Sequence, residues 1–292
     1  MLGIIINVHR LMLKPLECFK TGSHNNEISF CSIVMSIQIV QTGQSVFASD
    51  SNVLYKYRTW KDENHKDLLR KGVVYFAAPD SFEDTFDCNL PEIFPEGEKL
   101  FQMFYKKSIE INPNFTKKQH IEFATYWCKH SPIANVAERD KLLEFFRKEF
   151  SDRHGILSLC KTPNNNAMWE KYGDNNKGYC VGFDASVLVN YCSGGGDVQY
   201  VKGIPSIDFI NDSNDVRIEK QVFSKSQVWA FEDEYRFLRI GKGKALTPQE
   251  RVLVFPSNSV KVVCLGKNME DKHKVEIKEI VKEKYSNADI IE

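Results

Sequence analysis

The chain has 292 residues, enough to bury one substantial core or two modest ones. At 42% hydrophobic and 12% aromatic residues it carries enough apolar surface to offset chain entropy on burial, which excludes a disordered polypeptide. Lys plus Arg number 39 and Asp plus Glu 39, so the formal charge is zero and no global field draws the chain to nucleic acid or an anionic membrane.

Residues 1–50 read as an N-terminal extension, expected to be poorly ordered, with Met35 as a candidate natural start. Neither Met1–Val8 nor Ile28–Val40 approaches the ~18 uninterrupted apolar residues of a membrane span. Lys14, Glu17 and Lys20 stand where a signal peptide needs small residues, so a cytoplasmic location is the expectation. From Val53 to Arg58 the pattern predicts a strand, then a short helix over Glu63–Lys71 with Leu68 and Leu69 inward and Gly72 closing it. Val73–Ala78 predicts a buried strand ended by Pro79-Asp80, and Ser81–Asp87 a polar loop that carries Phe82 and Phe86.

From Glu96 to Asp152 the period becomes helical, with Leu100, Phe101, Phe104 and Tyr105 on one stripe and Leu142, Phe145, Phe146 and Phe150 on another. This predicts a helical insertion that borders the functional site and governs access to it. Strand character returns at Gly155–Cys160, followed by a helix at Asn166–Tyr172, a strand at Gly178–Phe183 and a helix start at Asp184. Further strands are predicted at Asp197–Val201, Glu234–Ile240, Val252–Phe255 and Val260–Leu265, and a closing amphipathic helix with Val275, Ile277, Ile280 and Val281 inward. Gly194-Gly-Gly196 lacks the Lys-Ser/Thr of a phosphate loop and is predicted to be a plain loop. The expectation is one α+β domain over 51–292 with the insertion at about 96–152.

The eight cysteines are scattered, without a C-x-x-C pair or histidines at metal spacing, so free thiols in a reducing compartment are expected and no metal. No histidine stands with a serine or cysteine in a recognisable nucleophile motif. The segment Trp229-Ala-Phe-Glu-Asp-Glu-Tyr-Arg236 reads as a strand, so Glu232 and Glu234 leave the same face. Like charges that close are unfavourable unless chemistry or a counter-ion such as Lys225 or Arg236 uses them. Ser158 lies between Leu157 and Leu159, where a buried unpaired hydroxyl costs ~1–3 kcal/mol. Trp169 and Tyr172, three apart on a helix, either stack on a ring ligand or belong to the core. With Tyr57-Arg58 these residues describe one pocket: a cation for phosphate or ribose, a hydroxyl to orient, and a carboxylate to stabilise positive charge.

The phrases Leu54-Tyr-Lys-Tyr-Arg58, Ala78-Pro-Asp-Ser-Phe-Glu-Asp-Thr-Phe-Asp87, Ile156-Leu-Ser-Leu, Met168-Trp-Glu-Lys-Tyr-Gly, Lys177-Gly-Tyr-Cys-Val-Gly-Phe-Asp184 and Trp229-x-x-Glu-x-Glu-x-Arg236 resemble, in order, the bacterial family called domain of unknown function 2971. The loop departs from that pattern, with Glu83-Asp84-Thr85-Phe86-Asp87 where Asn-Asp-Pro-Phe-Asp is expected. That family name implies no activity.

The order Tyr57-Arg58, Ser158, Glu232-x-Glu234 is also similar to the Arg, Ser, Glu-x-Glu signature of cholera-toxin-like mono-ADP-ribosyltransferases. This resemblance implies an α+β fold with mixed small sheets around a cleft that binds NAD as substrate. Arg58 would hold NAD phosphate or ribose, with Tyr57, Trp169 and Tyr172 beside the cofactor, and Ser158 would orient the nicotinamide ribose and the catalytic acid. Glu234 would bond the ribose 2′-hydroxyl and stabilise the oxocarbenium-like transition state, and Glu232 would position the acceptor. The strand usually reads Ser-Thr-Ser and here reads Ser158-Leu-Cys160, and Asp87 and Asp184 have no place in the scheme. The implied partners are a small nucleotide and a macromolecular acceptor, and a toxin or phage-defence setting follows by analogy. Two other readings stand beside it: a non-catalytic ligand-sensing or protein-interaction domain, and an NAD or nucleotide hydrolase with water as acceptor.

Overall fold

The computed structural model describes residues 52–292 and, upstream, only the paired segments Gly3–Ile4 and Ile39–Val40. The extension expected over residues 1–50, with Cys18, Cys31 and Met35, lies otherwise outside the described residues. The elements run β1 (Val53–Arg58), α1 (Glu63–Arg70), β2 (Val73–Tyr75), β3 (Glu92–Ile93), α2 (Gly97–Ile111), α3 (Lys117–His130), α4 (Val136–Arg153), β4 (His154–Cys160), α5 (Asn166–Lys171), β5 (Tyr179–Asp184) and α6 (Ala185–Leu188). There follow β6 (Gly194–Asp197), β7 (Gln199–Val201), β8 (Ile207–Asp208), α7 (Asn214–Phe223), β9 (Ser224–Ser226), β10 (Glu234–Ile240), β11 (Val252–Val254), β12 (Val260–Leu265), α8 (Asp271–Lys284) and β13 (Asp289–Ile291).

The architecture is mixed α+β. A seven-stranded sheet in the order β13-β12-β5-β1-β4-β10-β6 is accompanied by two-stranded pairs of β3 with β8, β7 with β9 and β2 with β11. Strand β5 sits inside the sheet and is buried from Tyr179 to Phe183, which is why it reads as an apolar run rather than an alternating one. Gly178, just before it, is required by contact: a Cβ there would stand 2.1 Å from the Arg58 carbonyl oxygen.

Alternation along the strands divides the core in two. Leu54, Leu157, Leu159, Val181 and Phe237 meet Leu68 and Leu69 of α1 and Ile277 and Val281 of α8 on one face. Tyr57, Cys160, Cys180 and Cys264 meet Met168 and Trp169 of α5 on the other. Helix α1 begins because the Asp62 carboxylate accepts the Asn64 and His65 N–H groups, and it ends at Lys71 ahead of Gly72, whose φ is +66°. In α8, Ile277 and Val281 are buried as expected, but Val275 faces solvent.

Helices α2–α4 form the expected insertion and have a core of their own, in which Leu100, Phe104, Ala124 and Trp127 pack with Phe209. A capping box of Thr116 and Gln119 starts α3. Phe101 and Phe146 pack against this core, whereas Phe145 is exposed. The buried Ser108 Oγ lies 2.8 Å from His120 Nδ1, so one histidine does meet a serine. Sealed between α2 and α3, the pair fastens the two helices. Two further expectations are corrected. Gly194–Gly196 is not a loop but part of edge strand β6, paired with β10. A Cβ at Gly195 would meet the Arg236 carbonyl oxygen at 2.9 Å, so glycine is there for close backbone approach. The strand expected over Asp197–Val201 is interrupted at Val198, where the chain passes from β6 to β7.

Candidate functional site

Strands β1 and β4 meet at one register position, Tyr55 opposite Cys160. Beyond it β4 bridges instead to the segment after β2, through Ala77 and Ile156, and the two strands part. Lys56 Nζ reaches across the parting and donates to the Ser158 carbonyl at 2.7 Å. A pocket of about 290 Å³ opens there, with Lys56, Arg58, Ser158 and Glu234 along its strands and Phe82, Tyr172 and Trp229 around its rim.

A buried charge cluster forms its acidic wall. Lys225 of β9 holds Glu234 at 2.7 Å, Asp87 at 3.0 Å and Glu232 closer still. Arg236, fully buried, donates from Nε to Glu234 at 2.8 Å, from Nη2 to Asp87 at 2.7 Å, and from Nη1 to the Val222 carbonyl at 2.7 Å and Cys88 Sγ at 3.2 Å. Three carboxylates thus face two cations. Burial pushes the Glu232 carboxyl up, the adjoining Glu234 carboxylate adds to this, and the result lies at about 7. Tyr172 donates its hydroxyl to Glu232 at 2.5 Å. Burial also raises Glu234, but the Arg236 guanidinium, the Glu232 carboxyl and Lys225 hold it well below the usual carboxylate range. Burial would neutralise Lys225, yet Glu234, Asp87 and Glu232 keep it charged.

At the pocket floor the opposite rule applies. Burial lowers the Lys56 ammonium well below the ordinary lysine value and Arg58 lowers it further, against a weaker pull from Glu234 and Glu232. Among the described residues neither Lys56 nor Arg58 has a carboxylate within ion-pair distance. One pocket therefore contains a lysine fixed as ammonium and a lysine pushed toward the free amine.

Several expected residues move. Glu232 and Glu234 do not share a strand: Gln227–Glu232 is a 3-10 turn, Asp233 takes a left-handed conformation at φ 43°, and β10 begins at Glu234. The turn still delivers both carboxylates to Lys225. Ser158 lies half-buried in the pocket wall beside the Lys56 contact. Arg58 follows Leu54 and Lys56 in alternation and leaves the sheet on the face opposite Glu234, meeting the pocket only where the strands part. Tyr57 spends its hydroxyl on the Thr162 carbonyl at 2.7 Å and packs edge-on against Trp169, with 5.1 Å between centroids. Trp169 donates to the Pro163 carbonyl and belongs to the core rather than the pocket lining. Of the aromatics expected beside a ligand, Tyr172 lines the pocket and Trp169 does not. No residue of 97–153 lines it either, so the insertion does not border this site.

Sequence reasoning gave no role to Lys56, noted Asp87 only as a carboxylate without a place in the scheme, and saw Lys225 and Arg236 only as counter-ions. The one available signal was Arg236 inside an otherwise apolar strand, since a charge there needs buried partners. Among the described residues no group of His, Cys, Asp and Glu side chains is placed to hold a metal ion, and the six described cysteines are free. No helix is long and apolar enough to cross a membrane among the described residues.

Residues 168–237 match the family model described as protein of unknown function (DUF2971). That stretch contains Tyr172, Lys225, Trp229, Glu232, Glu234 and Arg236, the acidic wall of the pocket, and it supports the resemblance to this family. Lys56, Arg58, Asp87 and Ser158 lie outside it. No curated protein and no solved structure matches the chain.

Proposed function

We propose that the pocket binds the ribosyl part of NAD and cuts its N-glycosidic bond, as a mono-ADP-ribosyltransferase with a macromolecular acceptor. A toxin or phage-defence role would fit that activity and rests on resemblance alone. What carries the reading is the convergence on one pocket of the Glu232 and Glu234 carboxylates, Tyr172, Ser158, Lys56 and Arg58. About 290 Å³ is near the lower limit for a small-molecule site, so it suits one nucleotide half of NAD, with the remainder outside.

Nicotinamide leaves as a neutral base, so the demand on the protein is to stabilise a cationic ribosyl centre and to remove a proton from the acceptor. Glu232, titrating near neutrality, is suited to take that proton. Glu234 remains ionised and supplies a fixed negative field at the wall. With water as acceptor the same groups give an NAD hydrolase. One observation favours a binding module without turnover: both Glu234 oxygens are already engaged, by Lys225 and Arg236. Nicotinamide release from NAD tests the choice. Release that Glu232→Gln abolishes supports catalysis. NAD binding in calorimetry without release, in the presence of cell-extract acceptors, supports the sensing module, and no binding at all overturns the NAD reading.

A further inference from the structure

We infer that Lys56 is a nucleophilic amine that forms an imine with the C1 aldehyde of a 5-phosphorylated ribose. The inference rests on the ribosyl-site reading above and adds a covalent step to it. Lysine becomes a nucleophile when it is desolvated or set beside another cation, because both raise the share of free amine at neutral pH. Lys56 meets both conditions: it is half-buried, with its nitrogen held against the Ser158 carbonyl inside the pocket, and Arg58 stands two residues on, on the same face. The groups that face it are Arg58, His65 of α1, Glu234 and Glu232, with the carboxylates acting against the neutral form.

Geometry separates it from the other lysine of the pocket. Lys225 is surrounded by Asp87, Glu232 and Glu234, so its nitrogen is committed as an ammonium. Lys56 has one hydrogen bond, to the Ser158 carbonyl at 2.7 Å, which a neutral amine also donates. That bond aims the nitrogen into the gap between β1 and β4. Arg58, without a carboxylate partner among the described residues, supplies the cation for the phosphate, and Glu232 supplies the proton relay.

The step balances without a cofactor. The Nζ lone pair of the free amine attacks C1 of the open-chain sugar, one Nζ proton passes to the carbonyl oxygen to give a carbinolamine, and the hydroxyl then leaves as water with the second Nζ proton, which leaves the C=N bond. Hydrolysis reverses the sequence and releases the sugar and the amine.

The test incubates the full chain with ribose 5-phosphate and sodium cyanoborohydride, which reduces imines to stable secondary amines, followed by intact mass and peptide mapping. The expected result is one adduct per chain, on Lys56, absent in Lys56→Gln and Lys56→Arg and reduced when ribose replaces ribose 5-phosphate. Lys56→Arg keeps a long side chain with a donor for the Ser158 carbonyl but no nucleophilic amine, and equal melting temperatures of the variants and the wild type control for folding. Label spread over exposed lysines with Lys56 unmodified, or no label, overturns the inference. Nicotinamide release from NAD by the same preparation keeps the two readings apart. Release without Lys56 labelling rejects the nucleophile and leaves the glycosidic reading intact. Labelling without release sustains the nucleophile and rejects NAD as substrate.

Discussion

Replacing Arg236 by methionine tests whether the buried charge cluster holds the site together. The guanidinium makes five hydrogen bonds, three of them to the carboxylates of Glu234 and Asp87. Methionine fills much of the same volume, so the cost is mainly electrostatic: three buried carboxylates are left with Lys225 as their only cation. Breaking a buried pair from one side costs about 3–5 kcal/mol, a large share of the roughly 5–15 kcal/mol that stabilises a domain. At roughly 2–4 °C per kcal/mol, the melting temperature should fall by about 6–20 °C. The pH dependence has a definite sign. In the wild type the Glu234 carboxyl is depressed, so its contribution is present above the unfolded carboxylate pKa and is lost as pH falls through the folded value. The variant lacks that contribution, so its deficit should hold from neutral pH down to about pH 4.5 and shrink only below it. Urea unfolding of both proteins at pH 7.5 and about pH 3 measures this. A deficit below about 1 kcal/mol at pH 7.5, or one equal at both pH values, would refute the assignment of Arg236 as the essential counter-ion.

Glu232→Gln should lower nicotinamide release by about 100-fold or more while the fold survives, and the rate inflection near pH 7 should disappear with the carboxyl that causes it. His154 is buried, its Nε2 has no hydrogen-bond partner among the described residues, and burial lowers it from 6.5 to about 4. A base depressed in the fold binds its proton first in the unfolded chain, so stability falls as pH drops below 6.5, by about 2 kcal/mol at pH 5. His154→Phe should flatten that slope in pH-dependent unfolding; an unchanged slope would place the acid sensitivity elsewhere. Trp229 stands between Lys171, 4.1 Å from its ring centroid, and Lys225, at 5.1 Å, so ligand entry should change its fluorescence. Trp229→Phe should remove that change in an NAD titration, and a signal that persists would assign it to another tryptophan.

The strands that carry the pocket were legible because their signal is local. Val53–Arg58, Glu234–Ile240 and Val260–Leu265 alternate or run apolar over six or seven residues, and their ends match the structure. Gly194–Gly196 was not legible, since these three glycines have no side chains to announce a strand and β6 forms through pairing with β10. Glu232 was misplaced for a related reason. The spacing of two between it and Glu234 imitates strand alternation, but the left-handed Asp233 shows that the chain turns there before the strand begins. Lys225 lies in Ser-Lys-Ser, which looks solvated, and Asp87 ends a polar loop. Each becomes informative only when tertiary packing carries it to Arg236.

Burying three carboxylates against two cations is costly for a fold that could place apolar side chains at the same positions, because desolvation commonly exceeds the attraction recovered. The network is also unbalanced, and the carboxyl of Glu232, the member that touches both Tyr172 and the pocket, is raised by burial first and by the adjoining Glu234 second. A purely structural network would pair its charges evenly and seal them. Here the even part, Glu234 and Asp87 with Lys225 and Arg236, is internally paired, although all but Arg236 reach the pocket wall, and the uneven part, Glu232, faces the space that Lys56 also enters. That division between a fixed electrostatic base and one proton-exchanging group is the arrangement that acid–base chemistry requires of a pocket. If the pocket only senses a ligand, neutralising Glu232 with glutamine should strengthen the fold at pH 8 and leave NAD binding in calorimetry within about threefold; a loss of binding larger than that would tie the uneven charge to ligand recognition itself.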